Sequence, residues 1–187
     1  MALGNGFWAL AVGYLFAYFN AKSIEERKAR IERVNKQLRQ FYGPLLACVT
    51  ASRSAFRAMV KQHSPDGTKV AFQAAIQANP DGPEARAYRT WMAEVLQPLN
   101  ERAAKVVTEH IDLLDSPGLE PLLLQLVAAT SAYRVILQSW KDGDLNSYSV
   151  IKYPDTLADH IGREFAKVKK RQASLLGEGS GPLRSRL

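Results

Sequence analysis

Residues 7–19, Phe-Trp-Ala-Leu-Ala-Val-Gly-Tyr-Leu-Phe-Ala-Tyr-Phe, are unbroken apolar or aromatic, and the first ionisable side chain is Lys22. The uncharged stretch 2–19 is long enough, at about 1.5 Å per residue, to span roughly 27 Å as a helix, close to the ~30 Å of a hydrocarbon core. Trp8 near one end, with Tyr18 and Phe19 near the other, fits the aromatic belts of a spanning helix. A cleaved signal peptide carries its basic residues before the apolar run, whereas here they follow it. A helix lying in the interface needs a polar face within 7–19, and there is none. The pattern therefore predicts a transmembrane anchor over residues 1–21.

A basic amphipathic stem follows, over residues 22–42. Ile24, Ile31 and Leu38 recur every seven positions, with Val34 and Phe41 three after the last two. That seam is too short for a free coiled coil and predicts a helix that packs on the domain or on a partner. Ser23-Ile24-Glu25-Glu26 matches a capping box, so the helix either restarts there or continues from the anchor.

The remainder, 43–177, reads as a helical domain. Gly43-Pro44 predicts a break, with Pro44 opening a helix to about residue 62. Ser64-Pro65-Asp66-Gly67 is a turn, and a short helix over 68–78 stops at Asn79-Pro80-Asp81-Gly82-Pro83. A run over 84–114 holds Tyr88, Trp91, Met92, Val95 and Leu99 at helical spacing, and Pro98 should kink or divide it. Residues 120–140 are the most apolar of the domain and predict its central helix; Glu120, Gln125, Arg134 and Gln138 argue against a second span. A loop over 141–153 leads to a last helix ending at Gly177. The Gly/Ser/Pro-rich tail, 178–187, carries Arg184 and Arg186 as candidate contacts for a partner. The expected class is all-α: a single N-terminal transmembrane helix followed by a soluble helical bundle.

Charge adds an orientation. The chain is 47% hydrophobic and 23% charged, values of a folded protein, with a net charge of +7. Lys22, Arg27, Lys28, Arg30, Arg33, Lys36 and Arg39 stand against Glu25, Glu26 and Glu32 directly after the anchor. Positive-inside bias then predicts a single-pass protein with its bulk on the cytosolic, matrix or stromal side. Arg27, Lys28, Arg30 and Arg33 are the candidate contacts to lipid headgroups or an acidic partner. No aromatic residues interleave with the basic ones and no nucleic-acid reading module appears, so nucleic acid is not expected as a partner. Within the anchor, Ala9, Gly13, Ala17 and Ala21 form a small-residue stripe, the kind of face that admits a close transmembrane helix of another subunit.

Candidate chemistry is sparse. His63, His110 and His160 lie on separate segments, and the Glu-x-x-His pattern of di-iron bundles is absent. His160 and Glu164 read as a solvated ion pair, and His110 as a histidine near a helix C-terminus. Cys48 stands among Leu46, Ala47 and Val49 as a small buried hydrophobe. There is no Walker loop, no GxSxG and no GxGxxG. No catalytic residue, metal site or cofactor is predicted.

The domain carries a resemblance. Val34-Asn35-Lys36-Gln37-Leu38, Phe41-Tyr42-Gly43-Pro44-Leu45, Trp91-Met92, Pro98-Leu99-Asn100, His110-Ile111-Asp112-Leu113, Trp140-Lys141-Asp142-Gly143-Asp144 and Gln172-Ala173-Ser174-Leu175-Leu176-Gly177 resemble, in order and spacing, a widespread family of uncharacterised helical proteins from bacteria and fungi. That resemblance implies one helical domain beside a membrane segment and no activity. Tyr42, Asn100, His110 and Asp112, polar members of those stretches, are the expected place for a ligand pocket. Together these readings predict a non-catalytic accessory or scaffold subunit of a larger membrane complex, with an energy-transducing (photosynthetic or respiratory) one as a natural host. The alternative is a free-standing membrane-anchored module that binds a small ligand or partner protein.

Overall fold

The computed structural model describes residues 4–115, 118 and 120–177, with side chains described from residue 13 onward. Among these residues the chain is all-helical, with no strand. Helix α1 spans Gly4–Lys36, α2 Gly43–His63, α3 Lys69–Ala78, α4 Pro83–Trp91, α5 Gln97–Glu109, α6 Pro121–Lys141 and α7 Leu157–Leu176.

The anchor and stem form one helix. Ser23 lies in the middle of α1, so its capping box goes unused. The expected break at Gly43-Pro44 is also absent. A π-helical segment, Gln37–Tyr42, joins α1 to α2 with helical backbone angles at both ends. The cause is Pro44. It has no N–H and its ring needs room in the preceding turn, and widening that turn supplies the room without ending the helix. The Gly43 N–H bonds back five residues to the Leu38 carbonyl. Pro98 repeats the device: a second π segment, Met92–Leu96, precedes it, and the Gln97 N–H reaches the Met92 carbonyl. Both prolines, read from sequence as a break and a kink, are carried inside continuous helical runs.

Other boundaries follow local chemistry. Thr68 caps α3 by accepting from the Ala71 N–H at 3.1 Å. Gly177 ends α7 at φ 82°, the left-handed position that favours glycine.

Helices α2 and α5 form the centre. Helix α2 packs along α5 and α7, α5 also along α6, and α1 along α7. Helix α6, expected at the centre, lies at the side: of its residues, Leu123, Leu126, Ala129 and Thr130 are buried, while Leu124 and Val135 are exposed. A high apolar count made it look central, but only one stripe of it meets α5. The main core gathers Val34, Phe41, Leu45, Val107, Leu126 and Leu157. A second cluster, Met59, Val60, Phe72, Met92 and Leu96, fills the other end with Tyr88, Tyr133 and Trp140 around it. Val34, Gln37 and Phe41 are wholly buried, so the lower half of the stem belongs to the bundle.

Candidate functional site

Two features of this architecture point outward from packing toward function. The first is the upper part of α1. Tyr14, Leu15, Phe16, Tyr18 and Phe19 are exposed, Phe16 by 77%, and a Cβ built on Gly13 meets nothing within 4 Å. Ala17 and Ala21, the next members of the small-residue stripe, are exposed too. The side chain of Ala9 lies outside the described residues, as do Arg184 and Arg186 of the tail. By length and composition, the one described helix apolar enough to cross a membrane is α6, with a mean hydropathy of 1.2 over its best window, rather than the N-terminal run. Asn5, Asn20, Tyr14 and Tyr18 dilute the hydropathy of α1. Helix α6, however, is bonded into the bundle on both flanks: Gln97 donates to the Thr130 carbonyl at 3.0 Å, Arg134 to Glu101 at 2.8 Å and Gln125 to the Lys152 carbonyl at 3.0 Å.

The basic stem below the exposed segment divides into two groups. Lys28 pairs with Glu25 and Arg30 with Glu26 along the helix surface. Arg27 and Arg33, expected to meet lipid or an acidic partner, instead bind the chain's own bundle. Arg27 donates twice to the Leu175 carbonyl, at 3.2 and 2.8 Å. That carbonyl sits in the last turn of α7, where backbone oxygens lack helical donors, so the guanidinium acts as a C-terminal cap. Arg33 and Arg171 share Asp115, at 3.4 and 2.7 Å. Gln172 donates to Asn35 at 2.6 Å. Burial works against ionisation of Asp115, but a hydrogen bond from Gln37 and the charges of Arg171 and Arg33 outweigh it and hold its carboxyl below the ordinary value. These contacts tie the lower part of α1 to α7 and to Asp115.

The second feature is a cavity of about 490 Å³ between the two core clusters, roofed by the loop that carries Ser149, Ile151, Lys152, Tyr153 and Asp155. Its apolar walls come from Phe56, Met92, Leu96 and Val49. The Ser52 hydroxyl donates to Asn100 Oδ1 at 2.8 Å across α2 and α5, and the Tyr88 and Tyr133 hydroxyls share a hydrogen bond of 2.9 Å. Arg53 Nη1 donates to Asp159 at 2.8 Å, while its buried Nη2 has no partner among the described residues. The buried Tyr153 hydroxyl faces Ser52 but makes no well-formed hydrogen bond, and burial pushes its pKa up to about 12. Burial also raises the Tyr88 pKa well above its ordinary value, helped by Tyr133. Near the mouth Lys69 pairs with Asp155 at 3.1 Å and stands over the Phe56 ring at 5.7 Å.

The four residues expected to share a pocket are separated. Asn100 lines this cavity. Tyr42 lines another, of about 320 Å³, between Asp115, Glu120 and Glu164. His110 ends α5, and Asp112 lies in the following turn with its backbone carbonyl accepting from Arg33. The Tyr42 phenol is pushed up by burial and by Glu164. His160 also departs from the expected pairing. Its nearest carboxylate is Glu120 at 3.9 Å, and Glu164 accepts instead from Lys167 at 2.6 Å. Among the described residues no group of three His, Cys, Asp or Glu is placed to hold a metal ion. Cys48 is half-buried against the main core, and burial raises its thiol pKa.

Sequence reading missed Arg53 and Tyr153. Neither sits in a motif, and α2, α7 and a loop some hundred residues away in sequence meet only in the fold. Comparison with family models, curated proteins and solved structures returned no match to this chain.

Proposed function

We propose that this chain is an accessory subunit of a larger membrane complex, mounted through the N-terminal part of α1 and holding its helical bundle at one face of the bilayer. The exposed aromatic and aliphatic side chains Tyr14 to Phe19, on a helix that runs without interruption into a basic stem, carry this reading. Such a helix leaves large apolar groups in water unless lipid or another helix covers them. The cations that follow it favour the cytosolic, matrix or stromal side for the bundle, and Lys28 and Arg30 lie where anionic headgroups would meet them. The face of Ala9, Gly13, Ala17 and Ala21 suits a close transmembrane helix of a partner subunit. The staple of Arg27, Arg33, Asp115 and Arg171 adds a mechanical reason: it couples the direction of the anchor to the orientation of the bundle.

The test is fractionation followed by identification of companions. The protein should sediment with membranes, resist carbonate washing and dissolve in mild detergent. On a native gel it should then migrate above its own mass, with co-purifying subunits identified by mass spectrometry. Recovery in the soluble fraction, or migration as a monomer without companions, would overturn the reading.

A further inference from the structure

The cavity between the core clusters offers more donors than its own walls use. Arg53 has five N–H donors in a planar fork, and one arm is engaged by Asp159 on the outer side. The other arm, Nη2, is buried and unpaired. Tyr153 also lines the cavity, and its hydroxyl is likewise buried and unpaired among the described residues. Leaving such groups unsatisfied away from water costs about 1–3 kcal/mol each. Lys152 adds a further cation to the lining, and Lys69 is already matched by Asp155. The opposite walls, Phe56, Met92 and Leu96, present only carbon and sulfur. A volume of about 490 Å³ lies within the usual range of small-molecule sites.

We propose that this cavity binds a small amphipathic anion: an aryl or short acyl body carrying one carboxylate. The carboxylate accepts from Arg53 Nη2 and the Tyr153 hydroxyl, and the body lies against Phe56, Met92 and Leu96. A single negative charge matches the site, because one guanidinium already shares its charge with Asp159 and, among the described lining residues, the remaining free cation is Lys152 at the roof. A phosphate dianion would lack both the charge and the donors it needs. The Ser52–Asn100 and Tyr88–Tyr133 pairs satisfy their own groups and leave the interior dry enough for an apolar body. The inference stands apart from the membrane reading, since no described side chain of α1 lines the cavity.

The experiment uses the full chain in neutral phosphatidylcholine nanodiscs, with 4-phenylbutyrate and its uncharged counterpart 4-phenylbutanol titrated calorimetrically against empty nanodiscs. The acid should bind at least roughly tenfold more tightly than the alcohol, the difference of one charge-assisted hydrogen bond. Arg53→Gln should bring the acid down to the alcohol's affinity. Ile151→Trp, a substitution in the roof loop that fills the cavity without touching the core, should abolish both. Asp159→Asn should leave binding of the acid intact or tighter, because it removes the competing carboxylate. Equal binding of acid and alcohol, no binding of either, or wild-type affinity in Ile151→Trp would each overturn the proposal. So would Arg53→Gln binding the acid as tightly as the wild type. Sedimentation of these variants with membranes is the separate readout of the mounting, and its loss would leave the cavity result standing.

Discussion

Gly43→Ala tests the account of the π segment because two effects predict opposite signs. In an ordinary helix interior, replacing glycine by alanine stabilises by roughly 1 kcal/mol, as the unfolded chain loses freedom and the helix gains propensity. At Gly43 the backbone is helical and nothing in its torsion angles excludes alanine. The obstacle is a contact. A Cβ at this position falls 2.6 Å from the Leu38 carbonyl oxygen, with the Leu38 carbonyl carbon at 3.8 Å and Phe165 Cε2 at 3.9 Å. The oxygen is backbone and also accepts the Gly43 N–H, so it cannot swing away without breaking the bond that closes the π turn. Losing that bond, or leaving the carbonyl unsatisfied beside a buried core, costs about 1–3 kcal/mol. After the propensity gain is subtracted, the net expectation is destabilisation by up to about 2 kcal/mol. For a domain of this size that is a fall in melting temperature of up to roughly 8 °C. The measurement is thermal and urea unfolding of the full chain in detergent, followed by near-ultraviolet circular dichroism, which reports the packed aromatics of the bundle. A melting temperature that rises by the ordinary glycine-to-alanine increment would refute the argument and mean the helix joins α1 to α2 without the widened turn.

Further expectations follow from the staple, the polar core and the anchor. Asp115→Asn should lower stability near neutral pH. Because the folded carboxyl is held below its ordinary value, its contribution is present above the unfolded pKa of about 3.9 and disappears as pH falls through the folded value. Melting curves of wild type and variant should therefore converge in acid, and a gap that persists at low pH would exclude the charge as its cause. Ser52→Ala leaves Asn100 Oδ1 without its donor and should cost about 1–3 kcal/mol in urea unfolding; a neutral result would show that another donor serves Asn100. Gly13→Leu adds bulk to the small-residue face while raising hydrophobicity, so the protein should stay in the membrane fraction but detach from its companions on a native gel. Leu15→Ala, roughly 200° round the helix from Gly13 at about 100° per residue, should leave the assembly intact, and equal behaviour of the two variants would make the stripe incidental.

The helices themselves were legible along the chain. Periods of apolar residues place α2, α3, α6 and α7 to within a few residues, and Gly177, Thr68 and the Asn79–Pro83 turn act through local backbone chemistry that no distant contact is needed to reveal. What local chemistry misjudged was the two prolines. In sequence a proline ends or kinks a helix, and only packing on both sides of the turn decides that a widened π segment is the cheaper answer. The centre of the bundle was misread for a related reason. Apolar content counts side chains, whereas centrality depends on how many faces meet neighbours, and α2 and α5 are covered on more sides than the richer α6. The charge of the stem is legible in sequence but its intramolecular partners are not: Arg27 and Arg33 look free beside a membrane, and only the fold brings the Leu175 carbonyl and Asp115 within reach of them. The cavity belongs wholly to tertiary structure. Arg53 and Tyr153 have no motif between them, and their shared property, a buried polar atom without a partner, exists only once α2, α5, α7 and the roof loop have come together.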